Sequence, residues 1–129
     1  ASDSNGSKMR LLPTISLLVW LSAAQADSVR MLVQSSPLAG SQYYAMETFW
    51  TEIKVGDALT LVREPDNRHD RNAIRVDWRG HKLGYVPRAQ NRAVAAAIDA
   101  GDRLSARVSS LSDNKNPWQR LAFEVFAEL

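Results

Sequence analysis

The sequence predicts an α+β fold: a small, partly open β-barrel of about six short strands with two short helices. The chain has 129 residues, which is enough for one hydrophobic core. Several short segments alternate apolar and polar side chains, as strands with one buried face do. Two other segments are rich in alanine or repeat apolar residues at helical spacing. Short strands are buried most readily in a sheet that curls on itself, because closure removes exposed edges.

Alternation and turn residues together place the strands. The predicted strands are Val29–Val33, Ala58–Val62, Ala73–Trp78, His81–Val86, Leu104–Leu111 and Leu121–Phe126. The run Ser35-Ser36-Pro37 should end the first strand, and Arg79-Gly80 should form a hairpin turn. Polar, turn-forming residues fill 64–72 and 112–117, so both segments are expected to be exposed loops.

Two segments are predicted to be helices. Met46, Trp50 and Ile53 share one face of a short helix that should end before Gly56. The second helix covers the alanine-rich segment from 91 to 100 and should stop at glycine 101, a residue type that commonly ends helices. The larger aromatic residues of the chain, Trp50, Trp78 and Trp118, are expected in the core.

The first 26 residues are interpreted apart from the barrel, which is assigned to 27–129. Residues 1–8 (ASDSNGSK) are typical of a vector-encoded remnant before a natural start at Met9. Residues 9–26 combine a basic residue, a short apolar run and an Ala-x-Ala ending, which predicts a secretory signal peptide. A transmembrane helix would need ~20 apolar residues. The protein is therefore expected to be exported or periplasmic if the signal is genuine, and cytoplasmic if the segment is an ordinary amphipathic one.

Composition and motifs argue against several classes of protein. The chain has no cysteine, which excludes disulfides and thiolate zinc sites. It shows no Ser-His-Asp order, no G-x-S-x-G elbow, no phosphate-binding glycine loop and no H-E-x-x-H pair. Asp66, Asn67 and Asp70 lack the spacing and the glycine of a calcium loop. We therefore expect a non-catalytic binding protein without a metal or cofactor.

Positive charge is concentrated in one third of the chain. The whole chain has a net charge of only +2, from 16 basic and 14 acidic residues. Between Val62 and Arg92, however, the sequence has eight basic and four acidic residues, a local excess of four positive charges. Such a cluster suits a polyanionic partner, and it is also compatible with an ordinary arginine-rich surface.

The same region carries a motif of many fixed residue types at fixed spacing. It reads REPDNRHDRNAIRV at 63–76, followed by GYVPR at 84–88. Upstream GSQYY (40–44) and downstream DAG (99–101) complete the pattern. Together these motifs resemble the HIRAN family, and the resemblance extends from about Val29 to Phe126. HIRAN domains occur as accessory modules of Swi/Snf-type DNA-remodelling ATPases that act on stalled replication forks, and as small stand-alone bacterial proteins.

The resemblance implies an OB-like barrel that captures the 3′-OH end of single-stranded DNA. By this analogy, Tyr43 and Tyr44 would stack on terminal bases, and Asn67 and Asp70 would hold the terminal nucleotide. Asp70 would accept a hydrogen bond from the 3′-OH. The other implied contacts are stacking by His69 and Tyr85 and a phosphate contact by Arg88. Gln42 stands where the DNA-binding members carry a basic residue before the tyrosine pair, so the resemblance implies that this chain would lack one of their phosphate contacts.

General physical chemistry favours the same type of ligand. Aromatic rings stack on bases, and nearby cations, here also Arg71 and Lys82, neutralise phosphates. A carboxylate would repel phosphate, so Asp70 suits the site only if it faces a hydroxyl. Alternatives remain at this point: one tyrosine could be a core residue, Asp70 could only cap its own loop, and the loop surface could bind a protein or a glycan outside the cytoplasm.

Overall fold

Alternating side chains form six strands within residues 29–129, the part of the chain that this computed structural model describes. The strands are β1 (Arg30–Pro37), β2 (Ala58–Arg63), β3 (Ile74–Trp78), β4 (His81–Tyr85), β5 (Leu104–Leu111) and β6 (Leu121–Glu128). The predicted α+β class with six strands is confirmed. The interpretations of 1–8 and 9–26 concern residues outside the described range.

Two short α-helices complete the fold, as predicted. They are α1 (Met46–Phe49) and α2 (Arg92–Asp99), and 3₁₀ turns occupy Ser41–Tyr43, Arg88–Gln90 and Pro117–Gln119. Met46 and Ile53 are buried as expected, but the first helix is shorter than predicted: it ends at Phe49, and Ile53 follows it in a turn. Among residues 29–129, neither helix has the length and apolar character to span a membrane.

All strand pairs are antiparallel, in the order β1-β6-β5-β2-β3-β4. The two outer strands approach each other because Ala39, just after β1, pairs with Tyr85 at the end of β4. Their backbones exchange two hydrogen bonds of 2.9 Å. This single bridge brings the two ends of the sheet together, so the barrel is partly open.

The first strand is longer than expected. The prediction that Ser35-Ser36-Pro37 ends it is wrong, since β1 continues to Pro37 opposite Ala122. β1 pairs only with β6 along its length, and proline is tolerated in edge strands. The register shifts between Leu32 and Gln34, so Val33 is an extra, bulged residue.

The core fills the inside of the curled sheet. Its buried members are mostly strand residues, with Trp78 and Phe123 the largest. Trp50 is half-buried against this cluster, as the sequence indicates. Trp118 is 48% exposed, so its predicted core position is wrong. It lies in the 3₁₀ turn between β5 and β6, outside the strands that form most of the core.

Candidate nucleic-acid interface

An open pocket of about 260 Å³ lies where the loop between β2 and β3 meets the end of β4. The polar loop 64–73 supplies one wall, and the Ala39–Tyr85 bridge supplies another. The lining residues are Ala39, Tyr44, Asn67, His69, Asp70, Ala73, Tyr85, Val86 and Arg88. The pocket therefore combines aromatic rings, a carboxylate and a guanidinium on one open surface.

Gly84 is what allows the two walls to approach. A Cβ atom at this position would press on the carbonyl oxygen of Ala39 and would lie 3.0 Å from Cγ of Leu38. Because the first obstacle is backbone, the neighbour cannot rotate away as a flexible side chain would. The structure therefore explains the glycine of the GYVPR motif: only a residue without a Cβ atom lets the Ala39–Tyr85 bridge form at the pocket wall.

Aromatic rings form the outer rim of the pocket. Tyr43 is 76% exposed and Tyr44 is 36% exposed, so neither is a core residue. Tyr44 makes edge contacts with both Tyr43 and Tyr85, with ring centroids 6.4 Å and 5.9 Å apart. Nζ of Lys82 lies 4.1 Å from the ring centre of Tyr44 and 4.7 Å from that of Tyr85. A cation is therefore held against two rings at the rim.

Asn67 organises the polar loop. Its Oδ1 accepts hydrogen bonds from the backbone N–H groups of His69 and Asp70, at 2.9 and 3.2 Å. Its amide nitrogen donates to Oε1 of Glu64 at 3.0 Å. These bonds are typical of an asparagine that shapes a turn. Asn67 lines the pocket, but much of its hydrogen-bonding capacity serves the loop itself.

Asp70 is held at both carboxylate oxygens. Oδ1 accepts from the backbone N–H of Asn72 at 2.9 Å, and Oδ2 accepts from the Asn91 amide at 2.7 Å. Partial burial raises the pKa of Asp70, but these hydrogen bonds and the charges of Arg88 and Arg63 outweigh it, so the pKa is lowered. The turn-capping role considered for Asp70 is therefore present. Each oxygen retains acceptor capacity, since a carboxylate offers about four lone-pair sites.

Glu64 links the loop to β4 beneath the pocket rim. Its Oε1 accepts from the Tyr85 hydroxyl at 2.8 Å as well as from Asn67, and its Oε2 lies 3.4 Å from the guanidinium of Arg75. Burial raises the pKa of Glu64, but the bonds from Asn67 and Tyr85 and the charges of Lys82 and Arg75 leave it lowered. The phenol ring of Tyr85 is thereby fixed in orientation.

Six of the nine predicted binding residues line the pocket together. They are Tyr44, Asn67, His69, Asp70, Tyr85 and Arg88. Lys82 lies at the rim through its contacts with two rings, and Tyr43 lies beside Tyr44. Arg71 is exposed on the loop and does not line the pocket. Within residues 29–129, no three histidine or acidic side chains are grouped so that they could hold a metal ion.

Sequence reasoning missed Glu64 and Asn91 as parts of this site. Glu64 stands in the recognised motif, so its position was visible although its two partners were not. Asn91 comes just before α2, where an asparagine is ordinarily interpreted as a helix cap. Its side chain makes no capping hydrogen bond and turns to Asp70 instead.

Comparison with known proteins agrees with this fold and motif. The HIRAN domain family model matches residues 31–129. A crystal structure of a protein from Lactobacillus plantarum superposes with a TM-score of 0.70 and 31% identity, covering 79% of this chain and 98% of that one. The crystal structure of the HIRAN domain of human HLTF gives a TM-score of 0.58 at 20% identity, covering 81% of this chain and 80% of that one. The latter similarity concerns the fold alone.

A plant protein shares part of the sequence. The Fanconi-associated nuclease 1 homolog of Oryza sativa subsp. japonica is 30% identical over 77 residues, or 57% of this chain. The match spans only 8% of that protein's length. The similarity therefore concerns one segment of a much longer chain.

Proposed function

The chain belongs to the HIRAN domain family, and on that basis we propose that it is a non-catalytic nucleic-acid-binding module that captures the 3′-OH end of single-stranded DNA. The observation that carries this proposal is the position of Asp70. An ionised carboxylate lines an open pocket together with Arg88 and the rings of Tyr44 and Tyr85. A strand end offers matching groups, namely a free hydroxyl, a phosphate and a base.

The charges in the pocket favour an end over the interior of a strand. Every internal nucleotide carries a phosphate on both sides, and a carboxylate repels phosphate. At a 3′ end, one phosphate is replaced by a hydroxyl that can donate a hydrogen bond to Asp70. Arg88, which lines the same pocket, can bind the remaining phosphate. The pocket thus has one acceptor and one cation for the two ends of a terminal nucleotide.

The aromatic rim supports binding of unpaired bases. Base stacking on a protein ring contributes ~1–3 kcal/mol and requires an unpaired, accessible base. Tyr43 is 76% exposed, so one face of its ring is free to stack on a base. Lys82 adds a positive charge beside Tyr44 and Tyr85. This rim suits a single strand of any sequence better than a duplex.

Three labelled ligands test the proposal: one oligonucleotide ending in 3′-OH, the same strand ending in 3′-phosphate, and a circularised strand. Fluorescence anisotropy should show preference for the 3′-OH strand by about tenfold, which corresponds to ~1.4 kcal/mol. Asp70→Asn should remove most of this preference, because the isosteric amide no longer repels phosphate. Asp66→Asn is the matched control, since Asp66 is an exposed carboxylate of the same loop that does not line the pocket.

The outcomes separate the possible ligands. Equal affinity for the three DNA ligands would contradict end capture and leave a generic cationic surface. No measurable binding to any of them would contradict a nucleic-acid ligand. In that case a protein or glycan ligand of the same loop surface would become the better account.

A further inference from the structure

Asn91 is a buried polar side chain directly behind the pocket carboxylate. It is only 2% exposed, yet its side chain is not used to cap α2. Its amide nitrogen instead lies 2.7 Å from Oδ2 of Asp70. The amide must present nitrogen to an ionised carboxylate, because its oxygen would be repelled there.

The backbone around Asn91 is fixed independently of this bond. The Asn91 carbonyl accepts the first hydrogen bond of α2 from Ala95 at 2.8 Å. At the far end of the helix, Asp99 forms two hydrogen bonds of 3.0 Å with Arg63. Arg63 also donates to the Ala73 carbonyl, at the end of the polar loop. The helix is therefore tied to both stems of the loop that carries Asp70, and the amide is delivered from a rigid element.

We propose that Asn91 is the positioning residue of the 3′-end site: it holds the Asp70 carboxylate in one orientation and in its ionised form, and so sets the preference for hydroxyl over phosphate. This inference rests on the proposed function. The carboxylate is held from two sides, by Asn91 and by the N–H of Asn72, so rotation away from the pocket would break both hydrogen bonds. A preorganised acceptor costs no ordering when the ligand binds.

Asp70 is also influenced by two arginines, whose effect differs from that of Asn91. Arg63 at the end of β2 and Arg88 after β4 both act on the carboxylate, and His69 lines the same pocket. The arginines favour ionisation without directing the carboxylate, because no hydrogen bond joins either one to Asp70 among the described contacts. Asn91 contributes direction as well as stabilisation of charge.

Two variants test the inference, first without DNA. In Asn91→Ala, the pKa of Asp70, measured by NMR titration of its side-chain carbonyl carbon, should rise relative to the parent protein. The preference for 3′-OH over 3′-phosphate DNA should fall by about threefold to tenfold, the usual effect of one hydrogen bond. Gln90→Ala is the matched control: it removes the neighbouring bond from Ser36 to Gln90, 2.9 Å long, without touching Asp70. Gln90→Ala should change neither the pKa of Asp70 nor the preference for 3′-OH DNA.

Asn91→Asp gives a readout that a merely structural role would not produce. Two carboxylates so close share one proton at low pH, and the protonated one can donate to the other as the amide does. The pair should therefore keep its shared proton up to a higher pH than Asp70 does in the parent protein, and NMR titration of the two side-chain carbonyl carbons would show this. Its side chain has the same shape as asparagine and leaves no cavity, and while the pair holds one proton it has the same net charge as in the parent protein, so the comparison with Asn91→Ala is made in that pH range.

An Asp70 pKa unchanged in both variants would overturn the inference, and so would a 3′-OH preference unchanged in Asn91→Ala. If the pKa responds as expected but the parent protein binds no DNA, the positioning of Asp70 stands and the proposed ligand is wrong.

Discussion

Replacing Gly84 by alanine should destabilise the domain and damage the pocket together. The new methyl group would press on the Ala39 carbonyl and lie 3.0–3.1 Å from two Leu38 side-chain carbons. Relief requires the segment after β1 to move away from β4, which breaks the two 2.9 Å hydrogen bonds of the Ala39–Tyr85 bridge. Two such bonds are worth ~0.5–1.5 kcal/mol each, and overpacking adds ~1–3 kcal/mol. We therefore expect a loss of about 2–6 kcal/mol in the free energy of unfolding.

Urea denaturation measures this loss, with an unchanged m-value showing that the unfolding transition remains comparable. In a domain of this size, each kcal/mol lowers Tm by ~4–8 °C. The matched control is Gly101→Ala, where φ is +92° and no atom lies within 4 Å of the added Cβ. It should cost ~1 kcal/mol of backbone strain and leave DNA affinity unchanged. If Gly84→Ala cost less than the control, or if it kept full affinity for 3′-OH DNA, the bridge would not be what shapes the pocket.

Three further measurements examine the site's charges. The 2.8 Å hydrogen bond from Tyr85 to Glu64 should appear as a coupling free energy of ~1 kcal/mol in a double-mutant cycle of Glu64→Ala and Tyr85→Phe, measured by urea denaturation. If the two variants changed the free energy of unfolding additively, this bond would not stabilise the domain. The pKa values of Glu64 and Asp70 are both lowered by folding, so their stabilisation is complete above the ordinary carboxyl range near pH 4 and is lost as pH falls through the folded values. Acid denaturation that starts well above that range would contradict this. Binding of single-stranded DNA should weaken with salt on a shallow slope, and Arg88→Ala should reduce that slope by ~0.7, the value for one phosphate; an unchanged slope would remove Arg88 from the phosphate contacts.

The fold class was predictable because its determinants are local. Period-two alternation in 73–78 and 104–111 appears as β3 and β5, and the alanine-rich segment before glycine 101 forms α2. The errors occurred where tertiary position overrides local signals. Ser35 and Ser36 looked like strand-breaking residues, but they pair with Glu124 and Phe123, and β1 ends only at Pro37, which an edge strand tolerates. Trp118 looked like a core residue from its size alone.

The candidate site was predictable in its membership and less so in its contacts. The motif placed Asp70, Tyr85 and Arg88 in one region, and the structure brings them to one pocket. The partners of Asp70 and Tyr85 were not predictable, because Asn91 and Glu64 each lie 21 residues away in sequence. Pairing over such separations depends on the register of strands and the path of loops, which alternation does not specify.

The signal peptide inferred for 9–26 stays a prediction. It implies that natively expressed protein begins at Asp27 in an exported fraction, and N-terminal sequencing would reveal this. A product that begins at Met9 would contradict it.

End capture is tested most directly by the affinity ratio between the 3′-OH strand and the circularised strand of the same sequence. Both ligands offer the same bases, and the circle differs by having no terminal hydroxyl for Asp70 to bind. Anisotropy titrations at one fixed salt concentration should give a ratio of about ten in favour of the 3′-OH strand, and a ratio near one in Asp70→Asn. A ratio near one in the unmodified protein would contradict capture of a DNA end by this pocket.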